Sequence, residues 1–159
     1  HLFNHGITKA ALFLGVGCYV MQTKSAFYHQ LHGTGKTMPW TSAAMVVAAM
    51  SLIGIPGTAG FISKWLLIEA ALDKGWWLVA LLVVASSLLA VIYVWRFIEA
   101  LYLRQPAEGA TLREVPLGML GPLWVLAGAC LYFGFDTDIT LSASRTAAES
   151  LLLGSVVLN

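Results

Sequence analysis

The sequence predicts an all-α integral membrane protein with four transmembrane helices, the second of which is broken. Of the 159 residues, 58% are hydrophobic and only 11% are charged, whereas charged residues make up about a quarter of a typical soluble domain. The mean hydropathy is +0.78. Four stretches are long enough to cross a bilayer, which takes about 20 mostly apolar residues. The second stretch contains a proline and several glycines in its middle.

The predicted segments divide the chain into a transmembrane bundle and a tail. The four segments cover residues 1–22, 40–72, 76–103 and 115–135. In the tail, 136–159, residues 143–158 fit a short amphipathic helix on the membrane surface. Lysine and arginine are concentrated in the loops 23–39 and 104–114, and the positive-inside rule places such loops in the cytoplasm. We therefore expect a multi-pass protein of the inner (plasma) membrane with its C-terminus outside.

The second segment is too long to be one straight transmembrane helix. Its 33 residues would extend about 50 Å as a continuous helix, well beyond a hydrocarbon core of about 30 Å. Glycine tolerates unusual backbone dihedrals and proline lacks an N–H, so both favour a break. The residues that predict the break are Gly54, Pro56, Gly57 and Gly60. A bilayer tolerates such a break only where it is buried in protein or lines a wet cavity.

Lys64 is the candidate switchable charge beside this break. It is predicted to lie about one turn into the second half-helix, where the helix dipole and partial desolvation both disfavour an ammonium ion. Because intramembrane ionisable residues are costly and usually functional, the sequence predicts a lysine that gives and takes a proton. The alternative is a kinked structural helix whose Lys64 extends to the interface. Glu69, about 140° round the helix from Lys64, is predicted to be an exit group or an interface charge.

The first segment opens with a row of titratable side chains. His1, His5 and Lys9 are spaced four residues apart, so they share one helix face at intervals of about 6 Å. Histidine titrates near neutral pH and passes protons readily, so the row predicts a hydrogen-bonded proton path that includes water. The alternative is that the two histidines are terminal interface residues. Asn4 and Thr8 are on the neighbouring flank.

No metal site, cofactor or catalytic site is predicted. A zinc site needs further Cys, His or carboxylate ligands beside the histidines, and Cys18 and Cys130 are isolated in the sequence. The stretch HGTGKT, residues 32–37, imitates the end of a phosphate-binding loop, but Gln30 stands where that loop needs a glycine. The net charge of +1 gives no indication of a nucleic-acid partner.

Two further polar features lie in the third segment. Arg96 and Glu99 are three residues apart near its end and are predicted to form an interfacial ion pair of small stabilising value. Ser86 and Ser87 lie in mid-helix, where they satisfy backbone carbonyls or line a wet path.

The stretches HLFNHGITKAALFLGVG and MSLIGIPGTAGFISKWLLI resemble the antiporter-like subunits shared by Mrp-type multisubunit cation/proton antiporters and respiratory complex I. The shared pattern is H-x3-H-x3-K-x2-LFL, followed about 45 residues later by S-L-x-G-[IVL]-P-x3-GF-x-[SG]-K. The resemblance covers residues 1–103 well and is greatest to the D-type subunits of the Mrp antiporters.

This resemblance implies a core of fourteen helices built from two inverted five-helix repeats, of which this chain would hold the C-terminal four. It implies that Lys9 is the central lysine of a proton relay and that Lys64 is the broken-helix lysine at its outlet. His1 and His5 match the histidines beside the central lysine. Several relatives carry glutamate in the broken helix, so the lysine here bears on the type of subunit. The first repeat lies outside this sequence, so no entry half-channel is assigned.

The expected function is proton translocation in a multisubunit monovalent cation (sodium)/proton antiporter, through lysine, histidine and water. The alternative is a proton-pumping subunit of NADH:quinone oxidoreductase (complex I) or of a related membrane-bound hydrogenase. A third interpretation is a structural anchor with a dead channel. The expected partners are other membrane subunits, protons, sodium or another monovalent cation, and the lipid bilayer.

Overall fold

The computed structural model describes residues 1–25, 27–105 and 112–157, and within these ranges it contains seven α-helices and no strand. Helices α1 to α7 cover Leu2–Thr23, Thr34–Thr37, Pro39–Ile53, Ala59–Asp73, Trp77–Ile98, Leu117–Phe135 and Asp138–Val157. A 3₁₀ turn, Tyr28–Leu31, precedes α2, and a π-helical turn, Glu99–Leu103, extends α5. The predicted all-α class is confirmed.

Two of the four predicted transmembrane segments correspond to long, apolar helices in the described part of the chain. Among the described residues, two helices are long and apolar enough to cross a membrane by themselves: Trp77–Leu103, with a mean hydropathy of 2.6, and Leu117–Phe135, with 1.6. Helix α1 is less apolar because polar and charged side chains occupy its first half. Helices α3 and α4 have 15 residues each, about 22 Å at 1.5 Å per residue, and each is shorter than the hydrocarbon core.

Helices α1, α3 and α6 pack against one another, and α4 and α5 pack along one side of them. Gly15 lets α1 approach α3 closely, because a Cβ at this position would overlap the side chain of Met45. Helix α5 turns most of its surface outward, and its exposed apolar side chains include Leu81, Leu82, Leu88, Leu89, Ile92 and Trp95. An apolar surface of this extent is what a lipid-facing helix presents.

The tail and one loop extend past the described part of the chain. Helix α7 begins at Asp138, five residues before the predicted amphipathic helix, and residues 158 and 159 of the predicted tail lie outside the described residues. An acidic residue in the first turn of a helix interacts favourably with the helix dipole, which accounts for the earlier start. Of the predicted loop 104–114, residues 106–111 also lie outside the described residues.

Helix α3 begins with a cap supplied by a residue remote in sequence. The carboxylate of Glu114 accepts hydrogen bonds from the backbone N–H of Trp40, at 2.9 Å, and from the hydroxyl of Thr41. The N-cap residue, Met38, provides no side-chain cap. Free N–H groups and the helix dipole both favour a carboxylate at a helix N-terminus. Glu114 therefore ties the segment before α6 to the start of α3.

We expect Glu114→Ala to lower the free energy of unfolding of the full-length protein by about 1 kcal/mol, because helix α3 loses its capping acceptor. Glu114→Gln keeps an acceptor oxygen without the charge, so its free energy of unfolding should lie between those of wild type and Glu114→Ala. Thermal unfolding in detergent measures the effect. The control is Glu149→Ala, an exposed position in α7, and equal midpoints for the two alanine variants would contradict the capping role.

Candidate functional site

The chain is not helical between Ile53, the end of α3, and Ala59, the start of α4. Gly54 and Gly57 have φ values of 90° and 88°, a left-handed conformation that glycine adopts without steric cost. The N–H of Gly54 donates to the carbonyl of Met50, at 3.1 Å, and closes the end of α3. The interruption thus occurs within the stretch where the sequence predicts a break.

Gly60 lets helix α4 make backbone contact with helix α3. A Cβ at Gly60 would overlap the carbonyl oxygen of Ser51, so any larger residue would force the two helices apart. The backbone N–H of Gly60 also donates to the hydroxyl of Ser51, at 3.3 Å. Pro56 lies in the linker, where its missing N–H costs no helical hydrogen bond. The four predicted break residues therefore have two roles. Three of them form the linker, and Gly60 allows α4 to cross α3 closely.

Lys64 extends back across the break to the end of helix α3. Its Nζ donates to the carbonyls of Leu52, at 2.8 Å, and Ile53, at 2.9 Å, and to the hydroxyl of Ser87 on α5, at 2.9 Å. A lysine ammonium has three N–H donors, so all three are used. The last carbonyls of a helix lack intrahelical partners and carry partial negative charge. The break therefore forms an ammonium site whose acceptors come from α3 and α5.

This geometry differs from the prediction for Lys64. The sequence places the ammonium group close to the positive N-terminus of α4, whereas the structure places it at the negative C-terminus of α3. The reason is the close crossing at Gly60 and Ser51, which brings the second turn of α4 beside the last carbonyls of α3. The two helix ends carry opposite partial charges, so the ammonium group of Lys64 faces the negative end of α3 and not the positive end of α4.

Lys64 also lines a groove of about 270 Å³ between α4 and α5. Apolar side chains such as Phe61, Trp65 and Val84 form most of its wall, and its polar side chains are those of Lys64 and Ser87. Ser86 instead donates to the carbonyl of Val83 within its own helix, at 2.7 Å. Ser86 therefore follows the first predicted alternative, a bond to a backbone carbonyl, whereas Ser87 accepts a hydrogen bond from Lys64.

The predicted row on α1 divides between two surfaces. Nδ1 of His1 lies 3.0 Å from the hydroxyl of Ser63 on α4, and the rings of His1 and His5 stack with centroids 5.6 Å apart. His5 is half-buried and Lys9 is exposed, with the Nζ of Lys9 6.0 Å from the ring centroid of Phe13. The structure therefore brings His1 to α4, with His5 stacked on it, and leaves Lys9 on the outer surface of the described residues.

A buried polar network lies between α1 and the break. The hydroxyl of Thr8 donates to the carbonyl of Asn4, at 3.0 Å, and lies 3.0 Å from the hydroxyl of Ser51. The amide of Asn4 donates to the carbonyl of Ala59, at 3.0 Å. Its Oδ1 is buried without a hydrogen-bond partner among the described residues. The spacing of Asn4 and Thr8 indicated a polar flank, but nothing in the sequence singled out Ser51 or Ser63.

The other predicted site residue, Glu69, is exposed on α4 and makes no hydrogen bond or ion pair within the described part of the chain. The structure therefore does not bring it to Lys64. Across the same described ranges, no three His, Cys, Asp or Glu side chains come together in a group that could hold a metal ion.

Comparison with known proteins decides the family. The model of the transmembrane family described as NADH:quinone oxidoreductase/Mrp antiporter matches residues 1–90, which is more than half of the chain and includes α1, the break and Lys64. The chain belongs to this family. Like other members of the oxidoreductase/Mrp antiporter family, it is a membrane-embedded protein, and the resemblance drawn from its two motifs is confirmed.

Two relatives and one solved structure illustrate the range of the family. The chain is 34% identical over 155 residues to the N subunit of the NADH-quinone oxidoreductase of Desulforudis audaxviator, covering 89% of this chain and 31% of that protein. It is 29% identical over 153 residues to the D-type subunit of the Na⁺/H⁺ antiporter of Bacillus subtilis, covering 96% and 31%. It also matches the Mrp complex from Dietzia sp., with a TM-score of 0.85 and 28% identity, covering 94% of this chain and 36% of that chain. The chain thus spans about a third of the length of these two relatives.

Proposed function

We propose that this chain forms part of a proton-translocating membrane subunit of a multisubunit sodium/proton antiporter of the Mrp type. The observation that carries the proposal is the ammonium site of Lys64, in which a titratable side chain bridges a helix break inside a membrane protein. Intramembrane ionisable residues of this kind commonly belong to ion and proton paths. The similarity to the D-type antiporter subunit and to the Mrp complex supports the antiporter class.

In this proposal the chain crosses the membrane four times. The crossings are α1, the broken pair α3 and α4, α5 with its π-helical extension, and α6. Helices α3 and α4 share one crossing because neither is long enough alone. The loops 23–39 and 104–114 lie on the cytoplasmic side of the inner (plasma) membrane, the C-terminus lies outside, and further subunits cover parts of the bundle.

The proposed proton path runs from Lys9 through His5 and His1 to Ser63 and on to Lys64. The stacked histidine rings and the contact between His1 and Ser63 supply the middle of this path. Water completes it at both ends, as water-mediated hydrogen bonds are nearly as favourable as direct ones. The buried Oδ1 of Asn4 supplies an acceptor for such a water.

Lys64 would pass the proton on toward the outer aqueous side, with Glu69 as the exit group. When Lys64 is deprotonated, its two remaining N–H donors still serve the carbonyls of Leu52 and Ile53, and the hydroxyl of Ser87 turns to donate to the nitrogen lone pair, so the site accommodates both protonation states. Charge repulsion between successive protonated sites would drive each transfer.

A second candidate is a proton-pumping subunit of a redox complex such as NADH:quinone oxidoreductase. The similarity to the N subunit of an NADH-quinone oxidoreductase is the observation that favours it. The same Lys64 site serves either function, because in both the subunit moves protons while other subunits supply the driving reaction.

Transport in inside-out vesicles that contain the full complex distinguishes the two functions. We expect an imposed sodium gradient to move protons in the absence of any electron donor, as antiport requires no redox reaction. The measurement is the response of a pH-sensitive dye to sodium, with potassium as the matched control cation. Proton movement only while an electron donor is oxidised would overturn the antiporter function in favour of the redox pump. Proton movement under neither condition would overturn both.

A further inference from the structure

A second groove lies at the C-terminal end of α5, away from the proposed proton path. Its volume is about 450 Å³. The side chains that line it are Tyr28, His29, His32, Arg96, Glu99 and Arg104. Four of these six side chains are basic and one is acidic, so the lining favours an anionic ligand.

Two hydrogen bonds between remote segments hold the walls of this groove together. The hydroxyl of Tyr28 donates to the carbonyl of Arg96, at 2.6 Å, and the N–H of Gly33 donates to the carbonyl of Ala100, at 2.9 Å. The 3₁₀ turn after α1 is thereby fixed against the end of α5. The fold itself therefore forms the groove, with the loop after α1 as one wall and the end of α5 as the other.

Of the two arginines in the groove, Arg104 forms an ion pair and Arg96 does not, among the described residues. The sequence predicts that Arg96 pairs with Glu99, but this prediction is wrong: Arg104 donates to Oε1 of Glu99 through Nε, at 3.0 Å, and Nη2, at 2.7 Å. In the π-helical turn backbone hydrogen bonds join residues five apart, which places Arg104 beside Glu99. Arg96 is exposed, and its side chain makes no hydrogen bond or ion pair within the described residues.

The surface beside Arg96 is apolar and faces outward. Ile92, Trp95 and Leu103 are 60%, 61% and 70% exposed. They belong to Trp77–Leu103, the more apolar of the two described helices that are long and apolar enough to cross a membrane by themselves. Arginine and tryptophan near the end of such a span lie at the depth of the lipid headgroups. A ligand with an anionic head and an apolar body would match both the groove and its surroundings.

We propose that this groove binds the phosphate of an anionic phospholipid. The fork of Arg96 matches a phosphate bidentately, and His29 and His32 supply further donors on the loop wall. The acyl chains lie along the outer surface of α5, past Trp95 and Ile92. Basic pockets between helices on the cytoplasmic side are a common form of headgroup recognition.

The test uses the purified full-length protein in phosphatidylcholine micelles, to which phosphatidylglycerol or inorganic phosphate is added. We expect phosphatidylglycerol to raise the unfolding midpoint and to remain bound in native mass spectrometry. Arg96→Gln should weaken this binding about tenfold, the loss of about one charge-assisted hydrogen bond. The matched control is Lys74→Gln, which removes an exposed cation beside Trp76 and Trp77 near the opposite end of the same span and should leave binding unchanged.

Three results would overturn the assignment. Equal phosphatidylglycerol affinity for wild type and Arg96→Gln would exclude the groove as the binding site. Stabilisation by inorganic phosphate without any effect of the lipid would assign the groove to a free anion. No binding of either probe, with Arg96 inaccessible to a guanidinium-modifying reagent, would show that another protein segment covers the groove. None of these results bears on Lys64, so the inference fails independently of the proposed function.

Discussion

Replacing Lys64 with alanine in the full-length subunit is expected to abolish proton transport while the complex still assembles. The substitution removes the titratable group and leaves the carbonyls of Leu52 and Ile53 and the hydroxyl of Ser87 without their donor. Loss of a positioned proton-transfer group typically slows a reaction about 10²–10⁴-fold, so a decrease of at least about a hundredfold is expected in sodium-driven proton movement.

Lys64→Arg separates the proton-transfer role from the structural role. Arginine keeps a positive charge and several donors for the same carbonyls, but it does not lose its proton in proteins. We therefore expect this variant to unfold at a midpoint close to that of wild type and yet to transport as poorly as Lys64→Ala. Transport is measured in vesicles, and assembly is checked by size-exclusion chromatography of the complex.

Lys74→Ala is the matched control for Lys64, because Lys74 is exposed at the end of the same helix and lies outside the proposed path. It should transport at the wild-type rate. Normal transport by Lys64→Ala would refute the proposed path. Normal transport by Lys64→Arg alone would show that the ammonium site is structural and holds a permanent charge.

Gly60→Ala is expected to cause the largest loss of stability from a single added methyl group. The new Cβ would overlap the carbonyl oxygen of Ser51, and no side-chain rotation relieves the overlap because the backbone fixes the position of both atoms. Overpacking of this kind typically costs about 1–3 kcal/mol. The separation of α3 and α4 would also draw Lys64 away from its acceptors, so proton transport should fall together with stability.

Thermal unfolding of the full-length protein in detergent measures the loss of stability caused by Gly60→Ala. The controls are Gly6→Ala in α1 and Gly128→Ala in α6, where a new Cβ meets nothing within 4 Å among the described residues. Alanine is the better helix former by about 1 kcal/mol, so these controls should be neutral or slightly stabilising. A Gly60→Ala midpoint equal to that of the controls would show that α3 and α4 do not cross at this glycine.

The class, the family and the position of the break can all be predicted from the amino-acid sequence alone. Membrane residence follows from the fraction of apolar residues, which is a property of composition. The interruption follows from residues such as Gly54 and Pro56, because backbone freedom and missing N–H groups act within a few residues of where they occur. The family follows from two motifs whose spacing is visible in one dimension.

Which partner each charged side chain contacts depends instead on how the helices pack in three dimensions. The sequence placed Lys64 at a positive helix end, and the crossing at Gly60 moved it to a negative one. The sequence predicts that Glu99 pairs with Arg96, whereas the π-helical turn places Arg104 beside it. Glu114 caps helix α3, which begins more than seventy residues before it in the chain. These outcomes depend on how helices cross and end in space. The partners of a long charged side chain come from segments that are remote in sequence and packed nearby. Local sequence preferences do not specify which segments those are.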